Sequence, residues 1–254
     1  MTTPRRFALT AGALLATLTL ALAAALLPAA AGATPPDPVA ATRGHKVFDR
    51  YCISCHGVLG DGRGPSADWL DPRPRVLTSG VFKFRSTPSG ELPTDEDLLR
   101  TITNGLHHTN MPRWAPLSLR ERADVVQYVK ALSPRFTAEP QGKPIAIPPR
   151  PEFTPALVTK GQGVWARMQC ATCHGDLGKG DGASAPTLRD DWGYPVTPRD
   201  FTSGSLKIGD EPEDLYRTFL SGLNGSPMPS FAEAGLTPDD AWALVAYVRS
   251  LRQQ

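Results

Sequence analysis

The pentapeptide Cys52-Ile53-Ser54-Cys55-His56 recurs as Cys170-Ala171-Thr172-Cys173-His174, and the two copies use all four cysteines of the chain. Two cysteines separated by two residues and followed at once by histidine form the attachment pattern of a c-type haem. The spacing serves a defined chemistry: the two thiols add to the two vinyl groups of one haem, and the adjacent histidine binds the iron from one side. Rival uses of the cysteines explain less. Two disulfides in an exported protein would leave both histidines and the identical spacing without a purpose. Zinc needs four ligands, and each motif offers three at most. A redox dithiol requires neither the histidine nor a second copy. The chain is therefore expected to bind two covalent haem c groups through Cys52, Cys55, Cys170 and Cys173, with His56 and His174 on the irons, and to transfer electrons.

Haem attachment belongs outside the cytoplasm, and the N-terminus agrees. Arg5 and Arg6 precede an apolar run from Phe7 to Leu27, and Ala31-Gly32-Ala33 is a small-residue cleavage site, so residues 1–33 read as an export signal. The run is about long enough to span a membrane, which makes an uncleaved anchor the alternative. Thr3-Pro4-Arg5-Arg6-Phe7-Ala8-Leu9 matches a twin-arginine signal only loosely, and attachment to an unfolded chain suits the general secretory route better. The expected location is the periplasm, or else the inner membrane facing the periplasm. Of the 27 Lys and Arg residues, Arg5 and Arg6 lie in this segment; the remainder equals the 25 Asp and Glu, so the exported chain is formally neutral. No basic stripe marks a nucleic-acid surface.

The likeness of the two halves extends beyond the motifs. Cys52 matches Cys170 at an offset of 118, while Pro74-Arg75 to Thr78-Ser79-Gly80 matches Pro198-Arg199 to Thr202-Ser203-Gly204 at 124. Lys83 matches Lys207 at 124, and Arg100-Thr101, Gly105 and Met111-Pro112 match Arg217-Thr218, Gly222 and Met228-Pro229 at 117. Conserved order with small changes in offset is the mark of one duplicated domain with loop insertions. Each half has the same layout. A helix leads into the motif, about Ala41–Tyr51 and Pro155–Gln169, and a Gly-rich loop follows. A middle helix starts at the cap Thr94, with Asp97 three residues on, or near Pro212, and stops at Gly105 or Gly222. A last amphipathic helix covers Ser118–Leu132 or Thr237–Leu251, with Ala123, Val126, Val129 and Ala131, or Trp242, Val245, Val248 and Leu251, as its apolar positions. The expected domains are residues 40–133 and 154–254, joined by residues 134–153, whose prolines predict an extended, semi-rigid linker. That linker is either a plain tether or is packed against a domain through Ile145 and Ile147.

An electron-carrying haem c needs a second axial ligand, usually His, Met or Cys. No cysteine is spare, and the second half has no histidine besides His174. Met168 lies too near Cys170 to reach the opposite face of the haem, which leaves Met228 in Ser226-Pro227-Met228-Pro229. Its counterpart for the first iron is Met111, with His107 and His108 as competitors; otherwise those two are surface residues, as is His45 or else it packs. A methionine–histidine pair leaves no iron position open, which argues against an enzyme that binds substrate at iron. Arg75 and Arg199, at matching places, are candidates to hold haem propionates, since a guanidinium grips a carboxylate with two donors. Lys83 and Lys207 could serve likewise or face a partner, and Trp69, Trp114, Trp165, Trp192 and Trp242 are expected to pack around haem or helices.

On Cys52, Cys55, His56 and Met111, and on Cys170, Cys173, His174 and Met228, the chain resembles the class I c-type cytochromes, and in its doubling the di-haem cytochrome c4 group. The resemblance covers about residues 40–133 and 154–252. It implies an all-α fold of two tandem cytochrome c domains, each a small helical shell around one covalent haem with one edge exposed. It also implies a carrier between a redox protein donor and acceptor. The long Pro/Arg/Thr-Ser-Gly segments further resemble cytochromes that serve as subunits of respiratory enzymes, so a permanent membrane partner is the alternative. A di-haem enzyme such as a peroxidase would need an open iron.

Overall fold

The computed structural model describes residues 33–253. The expectation of an export signal or anchor over residues 1–33 therefore lies, but for Ala33, outside the described residues. Those residues form nine α-helices and four short 3-10 turns, with only isolated bridges and no strand among them. None of these helices is long and apolar enough to cross a membrane.

The first half opens with α1 (Pro38–Tyr51), whose Asp37 side chain accepts from the amides of Val39 and Ala40. This cap, with Pro38 at the first helical position, starts the helix three residues earlier than the apolar pattern alone predicts. The haem motif is itself a single turn, α2 (Ile53–His56). The middle helix α3 (Asp95–Asn104) begins in a capping box, Thr94 and Asp97 each bonding the other's backbone amide. It ends at Gly105 with φ 65°. The last helix α4 (Leu119–Ala131) has the same kind of box from Ser118 and Glu121. A further turn, α5 (Arg135–Ala138), interrupts the expected extended linker. The second half repeats the order with α6 (Pro155–Arg167), the motif turn α7 (Ala171–His174), the middle helix α8 (Pro212–Ser221) and the last helix α9 (Pro238–Ser250).

In each half the first and last helices cross, at a glycine. A Cβ placed on Gly44 would lie 2.0 Å from the carbonyl oxygen of Asp124, and one on Gly161 would lie 2.0 Å from that of Ala243. Backbones can approach this closely only where one helix has no side chain. Around the crossings sit two apolar cores, one including Phe48, Leu98, Val126 and Phe136, the other Trp165, Tyr216, Trp242 and Val248.

Two readings of side-chain position need correction. On α4, Ala123 and Ala131 are exposed, whereas Asp124, Val125 and Lys130 are buried. Asp124 faces inward because Arg43 on α1 donates to both its oxygens, at 2.7 and 2.6 Å. Lys130 does so because Asp95 takes its ammonium at 2.8 Å. Polar residues with partners thus displaced small apolar ones from the buried face. Trp69 packs into neither core and stands 87% exposed.

Residues 139–153 run between the domains and touch both. The amides of Gly142 and Ile145 donate to the carbonyls of Leu92 and Ser86 in the first half, while Ile145 and Ile147 pack against the second core. The domains also meet directly. Arg85, 2% exposed, donates from Nη2 to the carbonyl of Ser221 at 2.5 Å, and Arg100 pairs with Asp214 at 2.5 Å.

Candidate haem sites

Each motif histidine is aimed by a carbonyl. His56 Nδ1 lies 3.1 Å from the carbonyl oxygen of Arg75, and His174 Nδ1 lies 3.1 Å from that of Arg199. A carbonyl can only accept, so Nδ1 carries the proton and Nε2 keeps its lone pair for a metal. Burial pushes the pKa of both imidazoles below the ordinary value, which holds them in the neutral form that ligates iron. Ring orientation is fixed further by stacking of His174 on Phe201, centroids 4.6 Å apart, and by Phe48 at 6.5 Å from His56.

None of the four cysteines is paired in a disulfide, so all four sulfurs are available to the haems. The Gly-rich loops clamp the motifs from behind: Gly62 and Gly180 donate to the carbonyls of His56 and His174 at 2.9 and 2.8 Å.

The two methionine loops share one shape. Leu106 donates to the carbonyl of Met111 and Leu223 to that of Met228, both at 3.0 Å. One turn on, Trp114 donates to Ile102 and Phe231 to Phe219, at 3.0 and 2.9 Å. Each loop folds so tightly over its helix end that a Cβ on Gly105 or Gly222 would strike the Met-Pro backbone or the residue after it. Met228 is half-buried against the second core and Met111 is half-buried in its loop. His107 and His108 are exposed and turn to the other domain: the His107 amide donates to the carbonyl of Lys207 at 2.9 Å, and His108 Nε2 lies 3.3 Å from Arg199 Nη2. His45 stacks on Tyr128 at 4.6 Å.

Between the domains lies a chamber of about 300 Å³, lined by Arg73, Arg75, Lys83, Arg199 and Lys207 among others. Burial, then the neighbouring Arg75 and Lys207 cations, pushes Lys83 down to about 8, and burial lowers Lys207 as well. Arg75 Nη1 and Arg199 Nε are buried with no hydrogen-bond partner. Buried donors of this kind normally have one. A largely cationic chamber with orphaned guanidinium donors fits the two carboxylates that a haem presents, so the residues here suit that cofactor. The sequence pointed to Arg75 and Arg199 through the repeat. It gave no sign of the chamber, because its walls come from both halves.

Two segments, residues 39–129 and 156–248, match the family described as cytochrome C oxidase, cbb3-type, subunit III. Among curated proteins, the cytochrome bc1 complex cytochrome c subunit of Corynebacterium diphtheriae is 28% identical over 83% of this chain and 66% of its own length. The cbb3-type cytochrome c oxidase subunit FixP of Azorhizobium caulinodans is 30% identical over 84% of this chain and 60% of its own. The chain thus spans no more than about two thirds of these relatives. Among solved structures, a chain of the Kuenenia stuttgartiensis reducing HAO-like protein complex is 41% identical with a TM-score of 0.80, over 82% of this chain and 95% of that one.

Proposed function

The chain belongs to the cbb3-type cytochrome c oxidase subunit III family, and from that membership we propose that it is the electron-transfer subunit of a membrane respiratory complex. It is a di-haem c-type cytochrome, and the haems when bound supply two one-electron ferrous–ferric couples. The observation that carries the proposal is the duplicated site: two half-buried histidines whose Nδ1 atoms are engaged by the carbonyls of Arg75 and Arg199, two arginines that also line one cationic chamber.

In this reading Cys52, Cys55, Cys170 and Cys173 would fix the haems covalently, and His56 with Met111, and His174 with Met228, would bind the irons. The matched shape of the two methionine loops supports that ligand pair. His107 and His108 are left at the domain junction. Arg75 and Arg199 hold propionates, the polar need of their orphaned nitrogens supporting it. With both axial positions filled the protein carries electrons and binds no substrate at iron. Export through residues 1–33 places it in the periplasm, or anchored at its inner-membrane face. The partner is an oxidase or bc1-type complex, as the curated relatives' names state for them; the likeness to a chain of a reducing HAO-like protein complex supports the second reading, a subunit of a complex of that kind.

The test is to purify the complex from gently solubilised membranes and from the soluble fraction. Co-migration with an oxidase or bc1-type complex is expected, and a chain recovered free of any partner would overturn the subunit assignment. A pyridine haemochrome count of two haems per chain, a far-red methionine–iron band from both, and no carbon monoxide binding are expected. Fast reaction with carbon monoxide or peroxide would overturn the carrier.

A further inference from the structure

Each half carries a tryptophan between its motif and its Pro-Arg pair, at places that do not correspond: Trp69 ends the turn Ala67–Trp69, whose match is Ala185–Thr187, while Trp192 lies in residues that the second half inserts. Asp68-Trp69 and Asp191-Trp192 each precede the Pro-Arg pair whose carbonyl holds the motif histidine. Trp69 is 87% exposed. Trp192 instead lies under a guanidinium of the other domain, with Arg75 Cζ 4.6 Å from its ring centroid. Two residues on, Tyr194 takes Arg73 in the same way at 4.8 Å. The loop that presents both rings is fixed in advance: Asp190 Oδ1 accepts from the amides of Trp192 and Tyr194 at 3.0 and 2.9 Å, and the Asp190 amide donates to Tyr194.

Arg75 is thus enclosed by the second domain. A Cβ on Gly225 would lie 2.4 Å from Arg75 Nη1 and 2.9 Å from the Trp192 ring, so glycine is what lets the loop close over the pair. Its counterpart has no such cover. Arg199 reaches back to the first domain, but there it meets His108 at 3.3 Å on an exposed surface, with no aromatic ring over it. Both arginines keep a buried, unpartnered nitrogen, but only the first half's is stacked under a ring of the other domain, which adds to its loss of water. A cation shielded from water acts more strongly on nearby charge than one that water screens.

We propose that Trp192 is a positioning residue for the opposite domain: by keeping Arg75 desolvated, it raises the reduction potential of the haem at Cys52–His56 above that of the haem at Cys170–His174. The inference rests on the carrier reading above. A fixed positive charge favours the reduced state, which carries one more electron. With both haems bound, a single electron shared by the pair would rest mainly on the first, the second being oxidised as the first is reduced, with no proton or other reactant needed.

The experiment is a spectroelectrochemical titration of the holoprotein, the two waves being assigned by NMR of the haem methyls. Trp192→Ala should lower the first-domain potential by about tenfold in its reduction equilibrium, about 59 mV for one electron, and leave the second in place. Trp192→Phe should restore most of the difference, since a flat ring again covers Arg75. Trp69→Ala, at an exposed tryptophan that covers no arginine, should move neither wave. A shift confined to the second-domain haem would make Trp192 a local packing residue and overturn the proposal, as would an unmoved first wave. If the unaltered protein fails to show two low-spin haems, the carrier reading falls first; with two present, only the role of Trp192 is at stake.

Discussion

A single backbone contact decides the chemistry of each motif histidine. Because a carbonyl occupies Nδ1 of His56 and of His174, only Nε2 is left for iron, and burial keeps the ring neutral. The partner across the haem is open to a direct check. Met228→Ala should remove about half of the far-red methionine–iron band and allow one carbon monoxide to bind per chain; an unchanged spectrum would exclude Met228 as the ligand. A second residue-scale prediction concerns Lys130, whose side chain is 1% exposed and paired with Asp95. Burial raises the Asp95 pKa, but bonds from Lys130, Gln141 and Gln127 outweigh it and hold the carboxyl below its usual value. A depressed carboxylate stabilises the fold above its unfolded pKa, and that stability is lost as pH falls through the folded value. Asp95→Ala should cost about 3 kcal/mol at pH 7, near the lower bound for stranding a buried charge. The difference from the unaltered protein in denaturant titrations should shrink as the pH is lowered through the carboxylate range.

Helix boundaries were largely legible because capping is local chemistry. Thr94 with Asp97, Thr154 before Pro155, and Thr237 before Pro238 all cap as their residue types require. The buried face of α4 was not legible, since which of Ala123 or Asp124 turns inward depends on Arg43 arriving from another helix. The crossing glycines escaped notice for the same reason: Gly44 and Gly161 look unremarkable within their helices, where glycine is merely a weak helix former. Their purpose appears only with the carbonyls of Asp124 and Ala243 against them. Gly44→Ala should therefore destabilise the first domain by about 3 kcal/mol, the upper range for overpacking, where an open helix site would gain from the change. A raised or unchanged denaturation midpoint would show that α1 and α4 can part without loss.

At the scale of the whole molecule, the junction is polar and buried. Arg85 donates to the carbonyls of Pro88 and Phe82 in its own half and to Ser221 across the boundary. Burial lowers its pKa to about 10, so it stays charged at neutral pH. Arg85→Ala strands the buried acceptors on Phe82 and Ser221 and should cost about 2–6 kcal/mol, at about 1–3 for each buried group left unpaired. Because the loss falls on the junction, calorimetry should show the single unfolding transition split in two; one undivided transition would mean the linker alone couples the domains. The linker itself was readable as proline-rich, but only packing could choose between tether and strap, and Ile145 and Ile147 packed on the second core. What the sequence determined unaided was the cofactor, the duplication and the helix order, and it nominated His56 and His174 for the irons, because each rests on spacing along one chain. What only the tertiary structure decided was which polar groups lose water: the chamber of Arg73, Arg75, Lys83, Arg199 and Lys207, and the pairing of Trp192 with Arg75. Desolvation belongs to groups that meet from distant parts of the chain, and the two copies of one repeat differ there because each faces the other rather than itself.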